Sequence, residues 1–75
     1  MAFTLKALRI NAGLDQRIAA AKIGVTPETL SNWENAKSFP NVKQIMAIED
    51  LYGVSYANIN FLLENMGLTE KGGDT

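Results

Sequence analysis

A run of hydrogen-bonding side chains lies in the stretch PETLSNWEN, residues 27–35. If this stretch is a helix, at 100° per residue, five of these side chains share or flank one face: Glu28, Asn32, Asn35, Thr29 and Ser31. Groups of this kind can bond the edges of nucleic-acid bases. Asn can bond adenine twice, Ser and Thr can bond either type of base, and Glu can accept a hydrogen bond from the cytosine amino group. A polar helix face is usually just solvated, so the interpretation depends on what precedes it.

The residues before this run predict a first helix and a tight turn. Asp15 can cap a helix over Gln16–Ile23, and Gly24 ends it, because glycine accepts a left-handed backbone at little cost. Thr26 then caps the second helix, with Pro27 at its first position, where a missing N–H costs nothing. This is a helix-turn-helix arrangement, whose second helix can lie in the DNA major groove. The context favours base contact over simple solvation of the polar face.

The inward face of the second helix carries a charge. Glu34 shares that face with Leu30 and Trp33, and Arg9 lies on the apolar stripe of an earlier helix, Leu5–Ala12. A buried carboxylate needs a partner, so the two inward charges predict a largely buried Arg9–Glu34 ion pair. The alternative is that both side chains extend to solvent over apolar surface.

Several spaced elements resemble the phage repressor and Cro class of helix-turn-helix regulators. They are R-x-x-A-G-L, the Gln that opens helix two, IGVTPETLSNWEN, a later Pro and LYGVS, within about residues 4–63. The resemblance implies an all-α fold: a five-helix lambda-repressor-like DNA-binding bundle with the helix-turn-helix at helices 2 and 3. It also implies a homodimer on double-stranded operator DNA, and an interior ion pair at the Arg9 and Glu34 positions.

The resemblance and the face argument together assign the expected contacts with DNA. The residues expected to read bases are Pro27, Glu28, Thr29, Ser31 and Asn32. The resemblance places Gln16 and Asn35 on the phosphate backbone. The nearby cations expected to meet phosphates are Arg17, Lys37 and Lys43, although surface lysines usually serve only solubility.

Four residues depart from the family pattern. Asp15 stands where Thr or Asn is usual, and Ala19 replaces a usual Leu, so packing there is lighter unless Ile18 compensates. Ala36 stands where Gly commonly ends the recognition helix, so that end could differ. Glu28 puts a negative charge on the outward face. It can read cytosine, favour the helix N-terminus, or reject wrong operators.

Two further helices complete the expected bundle. Asn41 caps a helix over about residues 42–52, which Gly53 ends, and Ser55 caps a fifth helix beginning at Tyr56. The fifth helix would present apolar side chains on two faces, which predicts a dimer interface that includes Tyr56, Phe61 and Leu62. The alternative is that the chain turns at Asn60 and packs Phe61 into its own core.

Composition bounds the function. The 75 residues allow one small domain, expected at residues 1–67, with a flexible tail at 68–75. The chain has no Cys and no His, and shows no catalytic signature, so we expect neither an enzyme nor a bound metal, cofactor or small-molecule ligand. No apolar run could span a membrane, which predicts a soluble cytoplasmic protein that joins the bacterial nucleoid when bound to DNA.

Two functions remain open at this point. The first is a sequence-specific transcriptional regulator, a repressor of phage or prophage type, that reads the major groove with helix 3 as a dimer. The second is a protein-binding module, an antitoxin-like or regulatory partner that keeps the fold with weak DNA binding. The formal net charge of −1 is unusual for a DNA-binding domain and supports the second.

Overall fold

The computed structural model describes residues 2–61, which form four α-helices, one 3₁₀ turn and two short strands. The α-helices are α1 (Leu5–Asn11), α2 (Gln16–Ile23), α3 (Pro27–Glu34) and α4 (Val42–Tyr52). The 3₁₀ turn spans Tyr56–Asn58, and the strands are β1 (Phe3–Thr4) and β2 (Ile59–Asn60). The expected tail at 68–75 lies outside the described residues.

Each α-helix begins at a side chain of a type that caps helix starts. In every case the cap oxygen accepts a hydrogen bond from the backbone N–H three residues later, at 2.8–3.1 Å: Thr4 from Ala7, Asp15 from Ile18, Thr26 from Thr29 and Asn41 from Gln44. These bonds satisfy N–H groups that have no partner within the helix. The bounds of α2 and α4 agree with the prediction, whereas α1 ends at Asn11, one residue early.

The core lies where the four helices meet. Leu30 and Ile48 are fully buried, and Trp33 packs in the same cluster. Ala19 is also fully buried, at the position where the family usually has Leu, while Ile18 is 46% exposed. Ile18 therefore does not fill the space that the smaller Ala19 leaves.

The predicted fifth helix from Tyr56 is wrong for the residues that the structure describes. The chain makes only a 3₁₀ turn there, and β2 then pairs in parallel with β1, placing Ile59 opposite Phe3 and Asn60 opposite Thr4. A non-local interaction competes with the fifth helix. The backbone groups of β1 form hydrogen bonds with β2, and this pairing buries Ile59. The described chain is thus an all-α helix-turn-helix fold with four α-helices, and the two strands tie its ends together.

The position of Phe61 corrects the argument for its role in a dimer. The side chain is only 6% exposed, and its ring meets that of Phe39 edge to face, with centroids 5.0 Å apart. The structure contains one part of the alternative, the packing of Phe61 into its own chain, whereas Asn60 lies in β2 and not in a turn. Tyr56 is 45% exposed, and Leu62 lies outside the described residues.

No helix within residues 2–61 combines the length and the apolar character that crossing a bilayer requires.

Candidate nucleic-acid interface

Helix α3 divides into a buried face and an outward face. Its buried residues are Leu30, Trp33 and Glu34, and these pack α3 against α1 and α2. Pro27 and Glu28 are exposed at its first turn, while Thr29, Ser31 and Asn32 are at least partly exposed. The polar side chains that the sequence assigns to base contact therefore lie on the solvent side of α3.

The predicted ion pair is present beneath this helix. Arg9 Nε donates to Glu34 Oε2 at 2.7 Å, and Arg9 Nη2 donates to Glu34 Oε1 at 3.2 Å. Arg9 Nη1 also donates to the Leu14 carbonyl at 3.0 Å, which ties the pair to the turn between α1 and α2. The two side chains are 12% and 3% exposed, so neither extends to solvent. The hydrogen bond with Glu34 raises the pKa of Arg9, and burial opposes that shift.

A third side chain, which sequence analysis did not place here, joins this pair. Gln16 Nε2 donates to Glu34 Oε1 at 3.1 Å, so the first residue of α2 is held against the last residue of α3. A signal for this was available, because a carboxylate can accept more hydrogen bonds than one arginine fork supplies. An amide nitrogen has two hydrogens, so Gln16 keeps one for another acceptor.

Two pairs of side chains on the outward face of α3 bond each other. The Thr26 and Thr29 hydroxyl oxygens are 2.8 Å apart. Asn35 Nδ2 donates to the Ser31 carbonyl at 2.9 Å and to Ser31 Oγ at 3.3 Å. The amide nitrogen of Asn35 is thus engaged with Ser31, so a phosphate contact through this nitrogen competes with these bonds.

Glu28 and Asn32 differ from these neighbours. No hydrogen bond or ion pair within residues 2–61 engages either side chain. They are four residues apart, so they lie on the same side of α3. Among the polar groups assigned to base contact, these two keep their full hydrogen-bonding capacity.

Helix α3 ends in a Schellman motif despite the absence of Gly. Ala36 has a φ of 59°, Ala36 N donates to the Trp33 carbonyl at 3.3 Å, and Lys37 N donates to the Asn32 carbonyl at 2.8 Å. This is the backbone geometry that Gly usually supplies. Ala36 therefore ends the helix as Gly would, but the left-handed backbone is less favourable for alanine than for glycine.

The three cations assigned to phosphates are all exposed, but they lie on different elements. Arg17 is in the first turn of α2, Lys37 follows α3, and Lys43 is in the first turn of α4. None of their side chains takes part in a hydrogen bond or ion pair in the described part of the chain. Their charges therefore remain available to a polyanion, and none of them is bonded to Glu28 or Asn32.

Tyr52, the last residue of α4, is a further polar group near this site. Its hydroxyl is buried without a hydrogen-bond partner among residues 2–61. Burial raises the pKa of Tyr52, the negative charge of Glu34 raises it further, and Arg9 acts in the opposite direction. The Tyr52 ring thus borders the ion pair from α4.

The comparison with known families agrees with this geometry. The family model described as helix-turn-helix matches residues 5–59, which run from the start of α1 to β2 and include every α-helix described above. No curated protein and no solved structure matches the chain. The matched residues make up well over half of the 75-residue sequence. The chain therefore belongs to the helix-turn-helix family of Cro/C1 type, a family of DNA-binding transcriptional regulators.

Proposed function

We propose that this protein is a sequence-specific regulator of transcription, a repressor of phage or prophage type, that inserts α3 into the major groove of operator DNA. One observation carries the proposal. The inner face of α3 is fixed by the bonds of Glu34 to Arg9 and Gln16, while Glu28 and Asn32 on its outer side have no partner within residues 2–61. A rigid helix with unused hydrogen-bonding groups is what direct readout of base edges requires.

Phosphate contacts supply the affinity in this proposal. Gln16 is oriented by Glu34 and keeps one amide hydrogen for a phosphate oxygen, and Arg17, Lys37 and Lys43 offer exposed charges. Asn35 is the weakest of the proposed backbone contacts, since its donors bond Ser31. Because few cations take part, we expect a shallow salt dependence compared with strongly basic DNA-binding domains.

The proposed regulator acts as a homodimer, through a surface that differs from the one Phe61 suggested. Four large apolar side chains are exposed on α4 and the segments beside it: Phe39 at 38%, Val42 at 74%, Met46 at 59% and Tyr56 at 45%. They line one groove of about 610 Å³. A second copy could cover this groove about a two-fold axis and place two recognition helices roughly 34 Å apart.

The same groove supports a second candidate function. An apolar surface of this kind, beside a net charge of −1, is also suited to another protein. In that case the chain would be a protein-binding module that keeps the helix-turn-helix fold and binds DNA weakly.

Binding to DNA separates the two functions, and two substitutions test the assigned roles. Asn32→Ala should weaken binding to a selected operator by about 1–3 kcal/mol and leave binding to random duplex nearly unchanged. Gln16→Ala should weaken binding to every duplex, because its proposed partner is a phosphate. Asn58→Ala, which changes an exposed Asn of the 3₁₀ turn, is the matched control and should bind as the unaltered protein does.

Fluorescence anisotropy across a salt series makes these measurements. Absence of binding to any genomic fragment at low salt would reject the regulator and favour the protein-binding module. An equal loss on operator and random DNA would show that Asn32 does not read a base.

The dimer has its own test. Met46→Glu should leave a folded chain that sediments as a monomer and binds a duplex with two half-sites more weakly, while binding to one half-site is unchanged. Ile10→Glu is the control, because Ile10 is 56% exposed but lies outside the groove. A single protomer bound per two-half-site duplex at saturation would contradict the dimer.

A further inference from the structure

We propose that two side chains, Glu28 and Asn32, specify the operator half-site, and that this half-site contains a cytosine and an adenine about two base pairs apart. The inference rests on the function proposed above and deepens it. It starts from the difference between the outward side chains of α3 that bond each other and the two that bond nothing within residues 2–61.

The bonded side chains discriminate poorly between bases, because Ser and Thr hydroxyls can bond either type. Thr29 shares a hydrogen bond with the capping Thr26, in which either hydroxyl can be the donor. The Ser31 hydroxyl accepts from Asn35 Nδ2 and keeps its own hydrogen, but a serine hydroxyl can bond either type of base. Pro27 has no N–H to donate. Base discrimination by hydrogen bonding therefore falls to Glu28 and Asn32.

The chemistry of Glu28 selects cytosine. An ionised carboxylate only accepts hydrogen bonds, and the donors in the major groove are the amino groups of cytosine and adenine. Adenine places the acceptor N7 beside its amino group, where it repels the second carboxylate oxygen, whereas cytosine has no acceptor there. Guanine and thymine offer only acceptors to Glu28. The carboxylate also lies in the first turn of α3, where the helix dipole stabilises its charge.

The chemistry of Asn32 selects adenine. Its amide has a donor and an acceptor side by side, which match N7 and the amino group of adenine. Guanine presents two acceptors at the same place, so the amide oxygen of Asn32 would be repelled. Glu28 and Asn32 therefore select different bases.

The helix sets the distance between those bases. Residues four apart are separated by about 6 Å along an α-helix axis, and stacked base pairs are about 3.4 Å apart. With α3 lying along the groove, Glu28 and Asn32 meet base pairs about two steps apart. A selected half-site should then show a C·G pair and an A·T pair at that spacing.

Selection of bound sites from a random duplex pool tests this directly, using the full chain and two variants at the proposed readers. The unaltered protein should enrich the C and A pattern and discriminate about tenfold or more against other bases at each position. Glu28→Gln should change the preference at the cytosine position alone towards adenine, since an amide can bond adenine twice. Asn32→Ala should lose the preference at the adenine position alone, and Asn58→Ala, the control outside α3, should lose neither.

The outcomes distinguish this inference from the function beneath it. Enrichment of a motif without the C and A spacing, or a Glu28→Gln variant with an unchanged motif, would overturn the inference and leave the regulator standing. A pool that yields no enriched sequence with any variant would overturn the regulator and the inference together.

Discussion

The helix-turn-helix unit and the segment that follows α4 are built in different ways. In α2 and α3 the ends are fixed by residues next to them: Asp15 and Thr26 cap the starts, and Gly24 adopts a left-handed backbone with a φ of 96° between them. Within residues 55–61, β2 pairs with β1, which lies near the start of the chain. Local signals dominate the first region, and distant contacts decide the second.

The second region shows that a correct cap does not guarantee a helix. Ser55 Oγ accepts from Ala57 N at 3.3 Å, and Glu49 Oε2 accepts from Tyr56 N at 2.6 Å, so a helical turn does begin there. It continues for only three residues, because Ile59 is more favourably placed in the β pair. A cap signals where a helix can start, and tertiary contacts decide how far it extends.

The largest expected effect concerns the long-range contact that joins the first region to α1. Arg9→Met should lower the free energy of unfolding by about 3–5 kcal/mol, because Glu34 is left buried and unpaired. The double change Arg9→Met with Glu34→Leu should recover much of that loss. Chemical denaturation of the single and double variants measures both values.

Arg17→Met is the matched control, because Arg17 is exposed and no ion pair in the described residues involves it. We expect it to change stability by less than about 0.5 kcal/mol. Strictly additive losses in the double-mutant cycle would mean that Arg9 and Glu34 do not stabilise each other.

The next effect tests the second region. Phe61→Ala should destabilise the chain by about 3 kcal/mol, because it removes a buried ring from the core and its edge-to-face contact with Phe39. The loss should not depend on protein concentration, since the burial is within one chain. Thermal unfolding at several concentrations measures this, with Phe3→Ala, at 39% exposure, as the milder comparison. A loss of stability that appears only at concentrations where dimers form would show that Phe61 lies in an interface between copies.

These two regions also show what sequence could predict. The starts of all four α-helices, the inward positions of Arg9 and Glu34, and the outward polar face of α3 follow from neighbours and helical periodicity. The β1–β2 pairing does not, because two-residue strands carry no periodic pattern and depend on residues far away in sequence. The Gln16–Glu34 bond and the Thr26–Thr29 bond likewise required the actual side-chain directions.

A smaller effect concerns Tyr52, where α4 borders the ion pair of the first region. Tyr52→Phe should stabilise the chain by about 1 kcal/mol, because it removes a buried hydroxyl that has no partner within residues 2–61. Tyr56→Phe is the control, because Tyr56 is half-exposed and should give almost no change. Equal effects of the two changes would show that the Tyr52 hydroxyl is satisfied in solution.

The effect of Tyr52→Phe on stability should also depend on pH, because the Tyr52 hydroxyl is buried. Burial raises the pKa of Tyr52 in the folded chain, so the unfolded chain loses this proton first as the pH rises. Below the unfolded pKa, near 10, both states keep the proton and Tyr52 does not make stability depend on pH. As the pH rises from there towards the folded pKa, the unfolded chain deprotonates first, and the free energy of unfolding falls. The advantage of Tyr52→Phe should therefore grow above about pH 10, and an advantage that shrinks there would contradict the assignment.

The smallest effect tests a local rule inside the helix-turn-helix unit. Ala36 holds a left-handed backbone with a φ of 59°, which costs an alanine roughly 1–2 kcal/mol and a glycine almost nothing. Replacing Ala36 by glycine relieves that strain. It also increases the conformational entropy of the unfolded chain, which destabilises the fold by about 0.4–1 kcal/mol, and it removes the contacts of a buried methyl group. Ala36→Gly should therefore change stability by less than about 0.5 kcal/mol, with gain favoured. Ala21→Gly is the matched control, because Ala21 is exposed within α2, where glycine costs about 1 kcal/mol. Thermal unfolding of both variants gives the comparison: equal losses at the two positions would mean that Ala36 does not carry left-handed strain in solution.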